Sequence, residues 1–186
     1  MEVIDLFRVP IIKRKLNVDN ENIISKCLEL KEESNGRSIT NVGGWQSNHI
    51  NINLEEFSEL FNIIYHISVD FSNFLELNLV GEIYSWANIN KYKDFNMTHI
   101  HPNSVLSGVY YAKCPKNSGE IVFHHPSPSI QHDWVSQINY NNYNSILWRI
   151  DPEDGDFILF PSWLYHHVNP NLNDKGDRIS ISFNVR

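Results

Sequence analysis

The chain has 186 residues, of which 41% are apolar and 20% charged, and this composition is typical of a globular protein. A net charge of −7, with no basic stripe beyond Lys13–Lys15, excludes a surface for non-specific nucleic-acid binding. The 2 cysteines are too few for a disulfide framework, and no apolar run approaches the ~20 residues that cross a bilayer.

Two amphipathic helices are predicted in the first part of the chain. Residues 19–31 place apolar side chains at helical spacing behind Asp19, a candidate N-cap. Residues 53–77 show a longer apolar stripe behind Asn53, the second candidate cap. We expect both helices to cover a sheet from outside, and we interpret Lys13–Lys15 as a solvated loop.

From Leu79 onward the pattern changes to short β-type runs separated by Pro, Gly, Asn and Asp. These runs are residues 79–89, 97–101, 105–113, 120–125, 145–150, 156–160, 165–168 and 178–185. Many short strands without intervening helices predict two antiparallel sheets in a jelly roll. We therefore expect a mainly β protein, a single domain over residues 1–186. Residues 1–78 would give mostly helical support and residues 79–186 the jelly-roll core.

Histidines at two places in the β region are candidate metal ligands. His99 and His101 lie two positions apart in a run predicted as a strand, so both side chains would leave the same face. His166 follows another strand, and its neighbour His167 would point to the opposite face. Imidazoles suit Fe(II) and similar ions, and three protein ligands leave coordination positions open.

The last strand, "RISISFN", alternates polar and apolar residues, so Arg178 and Ser180 share one face. An arginine beside a hydroxyl offers a planar fork of charge-assisted hydrogen bonds to a carboxylate. A metal ion beside such a clamp is the arrangement expected of a site that binds a 2-oxo acid through its carboxylate while the acid chelates iron.

Several segments together resemble one known family: "LFRVPI", "VGGWQSN", "SWANIN", "THIHPNSVLSGVYY", "GDFILFPSWLYHHV" and "RISISFN". In this order they are similar to the 2-oxoglutarate/Fe(II)-dependent oxygenases, and within them to a branch found in marine bacteria and tailed phages. The resemblance implies a double-stranded β-helix (a cupin-like jelly roll) and a dioxygenase that requires Fe(II), 2-oxoglutarate and dioxygen. Such an oxidoreductase decarboxylates 2-oxoglutarate to succinate while it oxidises a substrate, most often by hydroxylation.

The resemblance also implies roles for individual residues. His99 and His166 occupy the positions of two iron ligands. Four polar residues would contact the co-substrate. Arg178 would pair with the distal carboxylate of 2-oxoglutarate, and the other three are Ser180, Tyr111 and Asn88.

The departure from the family pattern is His101, which stands where the family has Asp or Glu. Three alternatives follow: His101 is itself a ligand, a carboxylate such as Asp94 or Glu120 replaces it, or the site is degenerate. We predict a three-histidine site of His99, His101 and His166, because the His-x-His spacing directs both imidazoles to one point. Such a site would also bind Zn(II), Ni(II) or Co(II).

A cupin-like metal protein that does not use 2-oxoglutarate is the alternative, because a cupin shares the histidine outline. Arg178 with Ser180 favours the oxygenase, since a cupin needs no carboxylate clamp there. The primary substrate is left open between a peptide, a nucleotide and a small metabolite, and a homodimer is compatible with this interpretation. The N-terminus lacks the basic-then-apolar order of a signal peptide, so we expect a cytoplasmic protein with no membrane partner.

Overall fold

The structure is a computed structural model that describes residues 1–127 and 139–186. Its helices are α1 (Asn20–Glu33) and α2 (Glu55–Phe74). The strands before the second helix are β1 (Ile12–Lys15), β2 (Asn41–Val42) and β3 (Trp45–Gln46). Those after it are β4 (Ile83–Asn90), β5 (Phe95–His99), β6 (Leu106–Lys113), β7 (Ile121–His124), β8 (Leu147–Ile150), β9 (Asp156–Pro161), β10 (His166–Val168) and β11 (Arg178–Val185).

The strands form two antiparallel sheets. The larger sheet has the order β1-β9-β6-β11-β4-β3, and the smaller sheet has the order β2-β5-β10-β7-β8. Strands that are neighbours in space are distant in sequence, as in β11, which pairs with both β4 and β6. Two facing antiparallel sheets of this kind are a jelly roll, so the predicted fold class is confirmed.

The two helices pack on the outer face of the larger sheet. Alternation along each strand sends one set of side chains toward the helices, and Ile89, Ile181 and Phe183 are buried there against Phe57 and Ile64 of α2. Full burial of such a side chain contributes about 1.5–3 kcal/mol to stability. The other set of side chains points into the space between the two sheets.

Neither helix in the described ranges has the length and apolar character needed to cross a membrane.

Two local predictions are wrong. Asn53 does not cap α2: the N-cap position is Leu54, which has no side chain able to cap, and Asn53 lies in the preceding turn, where its N–H donates to Asn51 Oδ1 at 3.0 Å. Lys13–Lys15 is not a loop but belongs to β1, an edge strand paired with β9. Lys13 Nζ lies 3.0 Å from the carboxylate of Asp156 on that neighbouring strand. Asp19 does cap α1, accepting from the Asn22 N–H at 3.1 Å.

Candidate functional site

A cavity of about 270 Å³ lies between the inner faces of the two sheets. The larger sheet contributes residues of β4, β6 and β11, most of them polar, and the smaller sheet contributes residues of β5, β7 and β10. All seven residues for which the sequence predicted a role line this cavity: His99, His101, His166, Arg178, Ser180, Tyr111 and Asn88.

Three imidazoles meet on the side of the smaller sheet. His99 at the end of β5 is the direct register partner of His166 in β10, and their ring centroids are 4.3 Å apart. His101 joins them, with its Nε2 atom 3.3 Å from Nε2 of His166. One nitrogen from each ring lies within 4.8 Å of the other two, so the three rings could hold one metal ion.

Backbone carbonyls fix the orientation of two of these rings. Nδ1 of His99 lies 2.7 Å from the Met97 carbonyl oxygen, and Nδ1 of His166 lies 2.9 Å from that of Leu164. A carbonyl accepts only from a protonated Nδ1, which leaves Nε2 as the free lone pair of each ring. The donor set therefore fits a divalent transition metal.

Burial keeps the three imidazoles neutral. It lowers the pKa of His99, lowers that of His166 well below its ordinary value, and, with the nearby His99, lowers the pKa of His101 to about 3. Neutral imidazole is the form that binds a metal, so no proton has to be displaced at neutral pH.

His101 reaches the cluster by a route that strand alternation does not describe. β5 ends at His99, and His101 lies in the following loop, so the strand geometry invoked for the pair does not apply. Its backbone N–H instead donates to the Ser162 carbonyl at 2.9 Å, and its ring centroid lies 5.8 Å from that of Trp86. A long-range backbone contact therefore positions the residue.

The two carboxylates considered as alternatives to His101 make other contacts. Asp94 accepts from the Lys91 N–H at 2.7 Å, and Glu120 accepts from the Asn169 side-chain amide at 2.8 Å. Neither lines the cavity, and His99, His101 and His166 are the group with metal-binding geometry in the described part of the chain.

Arg178 lies on the inner face of the larger sheet and is 1% exposed. Its Nη1 donates to the carbonyls of Ser118 and Gly119. Asp94 acts on it electrostatically, but no carboxylate within residues 1–127 and 139–186 forms an ion pair with it. Burial lowers the pKa of this guanidinium from its ordinary value, although arginine remains charged at neutral pH.

Register places the other predicted co-substrate residues beside Arg178. Ser180 is paired with Tyr111 of β6 on one side and with Asn88 of β4 on the other. Asn88 donates from Nδ2 to Ser182 Oγ at 3.0 Å. Burial raises the pKa of Tyr111, so its hydroxyl stays protonated and can donate a hydrogen bond.

His167 leaves β10 on the face opposite to His166. Its Nδ1 lies 2.8 Å from Nε2 of His124, and its Nε2 lies 3.2 Å from Asn169 Oδ1. His167 does not line the cavity, in agreement with the predicted alternation.

Sequence reasoning missed several cavity residues. Asn90 shares a strand face with Asn88, so the alternation of "SWANIN" was a usable signal for it. Asn184 follows from the same alternation along β11. Arg37 also lines the cavity, but it lies in an irregular segment where no periodic pattern marks it.

Comparison with known proteins identifies the family. Residues 84–184, more than half of the chain, match the family model described as "Putative 2OG-Fe(II) oxygenase". The chain belongs to this family. It is therefore an enzyme, a 2-oxoglutarate-dependent dioxygenase whose cofactor is Fe(II) and whose co-substrates are 2-oxoglutarate and dioxygen. This membership favours the oxygenase over the cupin-like alternative.

Solved structures resemble this oxygenase in fold. A prolyl-4-hydroxylase from Pseudomonas putida is 14% identical with a TM-score of 0.70, and the match covers 95% of this chain and 91% of that one. The α-ketoglutarate-dependent epimerase SnoN of nogalamycin biosynthesis is 12% identical with a TM-score of 0.67, covering 95% and 78%. HygX from Streptomyces hygroscopicus, solved with nickel and 2-oxoglutarate, is 10% identical with a TM-score of 0.59, covering 95% and 83%. A search of curated proteins found no match.

Proposed function

We propose that the cavity is the active site of a hydroxylase in which His99, His101 and His166 hold Fe(II). Arg178 receives the distal carboxylate of 2-oxoglutarate, with Ser180 as a second donor. When bound, Fe(II) and 2-oxoglutarate supply the chemistry that couples oxidative decarboxylation, with dioxygen, to oxidation of the substrate. The contribution of this chain is to hold and orient these groups in the cavity between the two sheets.

One observation carries the proposal: a buried guanidinium without an ion-pair partner in the described residues shares a cavity with three neutral imidazoles. An unpaired buried charge is costly, and native proteins almost always pair it. A dianionic co-substrate that also ligates a metal would satisfy Arg178 and the histidine cluster at once.

Tyr111 and Asn88 complete the proposed co-substrate site. The Tyr111 hydroxyl is protonated and lines the cavity beside Ser180, so both can donate to a carboxylate oxygen. Asn88 uses one Nδ2 hydrogen to donate to Ser182 Oγ, which fixes the orientation of the amide and leaves the second hydrogen to donate to a carboxylate oxygen.

The remaining sequence interpretations stay predictions. These are hydroxylation as the outcome, a peptide, nucleotide or small metabolite as substrate, and membership of the marine-bacterial and phage branch. The single-domain organisation, the cytoplasmic location and a homodimer also remain to be tested. The prolyl-4-hydroxylase with the same fold supports hydroxylation only as an analogy.

An anaerobic titration tests the proposed function. Addition of Fe(II) and 2-oxoglutarate together should produce a visible absorption band, because a 2-oxo acid that chelates iron gives a charge-transfer transition. Admission of oxygen should then yield succinate slowly, even without the primary substrate. Glutarate, which lacks the 2-oxo group, is the matched control and should give no band. Folded, iron-loaded protein that shows neither the band nor succinate would contradict the proposal.

A metal-bound crystal structure tests the role of His101. We expect an imidazole nitrogen of His101 ~2.0–2.2 Å from the ion, together with His99 and His166. Soaks with Zn(II) or Ni(II) are suitable because three imidazoles bind these ions readily. A carboxylate oxygen in that position, with His101 beyond bonding distance, would refute the three-histidine site while leaving the family assignment intact.

A further inference from the structure

A second arginine, Arg37, lines the same cavity. Its backbone is held on both sides: the N–H donates to the Gln46 carbonyl at 2.8 Å, and the carbonyl accepts from Asn41 Nδ2 at 3.1 Å. Its guanidinium donates from Nη1 to the Tyr84 hydroxyl oxygen at 3.1 Å. The side chain is exposed, yet its position relative to the cavity is fixed by these contacts.

The contacts of Arg37 and Arg178 lie toward opposite ends of β4. Tyr84, the partner of Arg37, and Asn90, the residue opposite Arg178, lie six positions apart in β4. At ~3.3 Å per residue their backbones are separated by about 20 Å. The five-carbon chain of 2-oxoglutarate is too short to reach both arginines while it also ligates a metal at the histidines.

The residues around Arg37 offer further hydrogen-bond donors. Tyr84 Oη accepts from Arg37 and keeps its own proton for a ligand, and the ring is held by a parallel stack with His49 at 4.4 Å. Asn184, the register partner of Tyr84 on β11, accepts from Ser107 Oγ at 2.8 Å through Oδ1. Its side-chain N–H groups are therefore left to donate.

The charge of the cavity has the opposite sign to that of the chain. No Asp or Glu of the described residues lines it, although the chain carries a net charge of −7. Arg37 forms no ion pair within the part of the chain that the structure describes. A cationic cleft in an acidic protein concentrates anions, and guanidinium is well suited to carboxylate and phosphate groups.

We propose that Arg37, Tyr84 and Asn184 bind an anionic group of the primary substrate, a carboxylate or a phosphate, at the end of the cavity opposite Arg178. This inference rests on the proposed function, because it takes the Arg178 end as the co-substrate site. It narrows the substrate class to molecules that carry an oxyanion remote from the bond to be oxidised.

The test uses small probes on protein loaded with Zn(II) and 2-oxoglutarate, so that the Arg178 end is filled and no turnover occurs. Phenyl phosphate, benzoate and neutral benzyl alcohol are titrated by calorimetry into the wild type, Arg37→Gln and Arg14→Gln. Arg14 is an exposed arginine of β1 outside the cavity and serves as the matched control.

We expect the wild type and Arg14→Gln to bind at least one of the two anions equally well, and Arg37→Gln to bind it about tenfold more weakly. The preferred anion distinguishes a phosphorylated substrate from a carboxylic acid, and benzyl alcohol should not distinguish the variants. Equal anion affinity in Arg37→Gln, or no binding of either anion at millimolar concentration, would overturn the inference. Failure of 2-oxoglutarate to bind in the loading step would instead refute the proposed function.

Discussion

Replacement of His166 by alanine should abolish Fe(II) binding, whereas His167→Ala should retain most of it. His166 is 3% exposed, and its Nε2 lies within 3.3 Å of Nε2 of His101 in the cavity. His167 leaves the strand in the opposite direction and contacts His124. Metal content after loading with Fe(II) or Zn(II), measured by elemental analysis, checks the difference between these adjacent residues.

The controls separate loss of a ligand from loss of structure. His166→Ala removes a buried ring, so its thermal unfolding should be compared with that of the metal-free wild type. His124→Ala removes the partner of His167 on the outer face and should leave metal content unchanged. If His167→Ala lost the metal and His166→Ala kept it, the inward face of β10 would have been assigned wrongly.

Strand periodicity explains why much of the site could be predicted. Successive side chains of a strand alternate between its two faces. Where one face packs in the apolar core and the other lines a polar cavity, the alternation of apolar and polar residues shows which side chains point into the cavity. Arg178 and Ser180 alternate with Ile179 and Ile181 in β11. The structure places the first pair in the cavity and buries the second pair under the helices. The same reasoning predicted that His166 points into the cavity and that His167 points away from it.

The position of His101 shows where that reasoning ends. Alternation predicted it on the face of His99, and it does line the cavity, but β5 stops before it. The contact that positions it joins its N–H to Ser162, which precedes β10. A contact between residues so distant in sequence leaves no local pattern. The prediction therefore placed His101 in the correct cavity, but the strand alternation on which it was based does not apply there.

Short strands and loops were less predictable for the same physical reason. β2 and β3 are two residues long, and they exist because β5 and β4 offer them hydrogen-bonding partners. The segment between α1 and β2 carries Arg37 to the cavity by bonding to Gln46 of β3. Only the folded arrangement of the sheets reveals that this arginine belongs to the site.

Arg178→Ala should weaken 2-oxoglutarate binding about ten- to a hundredfold, because loss of a charge-assisted clamp typically costs ~1.5–3 kcal/mol. Zn(II) binding should be largely unchanged, since Arg178 contacts carbonyl oxygens and not the histidines. Arg178→Lys should recover only part of the affinity, because an ammonium cannot form the planar fork. Calorimetric titration of 2-oxoglutarate into Zn(II)-loaded protein measures both variants. Unchanged affinity in Arg178→Ala would place the carboxylate clamp elsewhere.

Gly119→Ala should also lower the affinity for 2-oxoglutarate, although Arg178 itself is not replaced. A Cβ at Gly119 would lie 2.6 Å from Nη1 of Arg178 and would also collide with the Asn169 carbonyl, so the guanidinium has to move. The φ of +99° adds backbone strain, which a matched substitution must reproduce. Gly81→Ala does so: its φ is +87°, and its Cβ would meet the Tyr65 ring at 3.1 Å, outside the cavity lining. Both variants should unfold at a lower temperature, but only Gly119→Ala should bind 2-oxoglutarate more weakly. Wild-type affinity for 2-oxoglutarate in Gly119→Ala would show that the close approach of Gly119 to Arg178 does not set the position of the clamp.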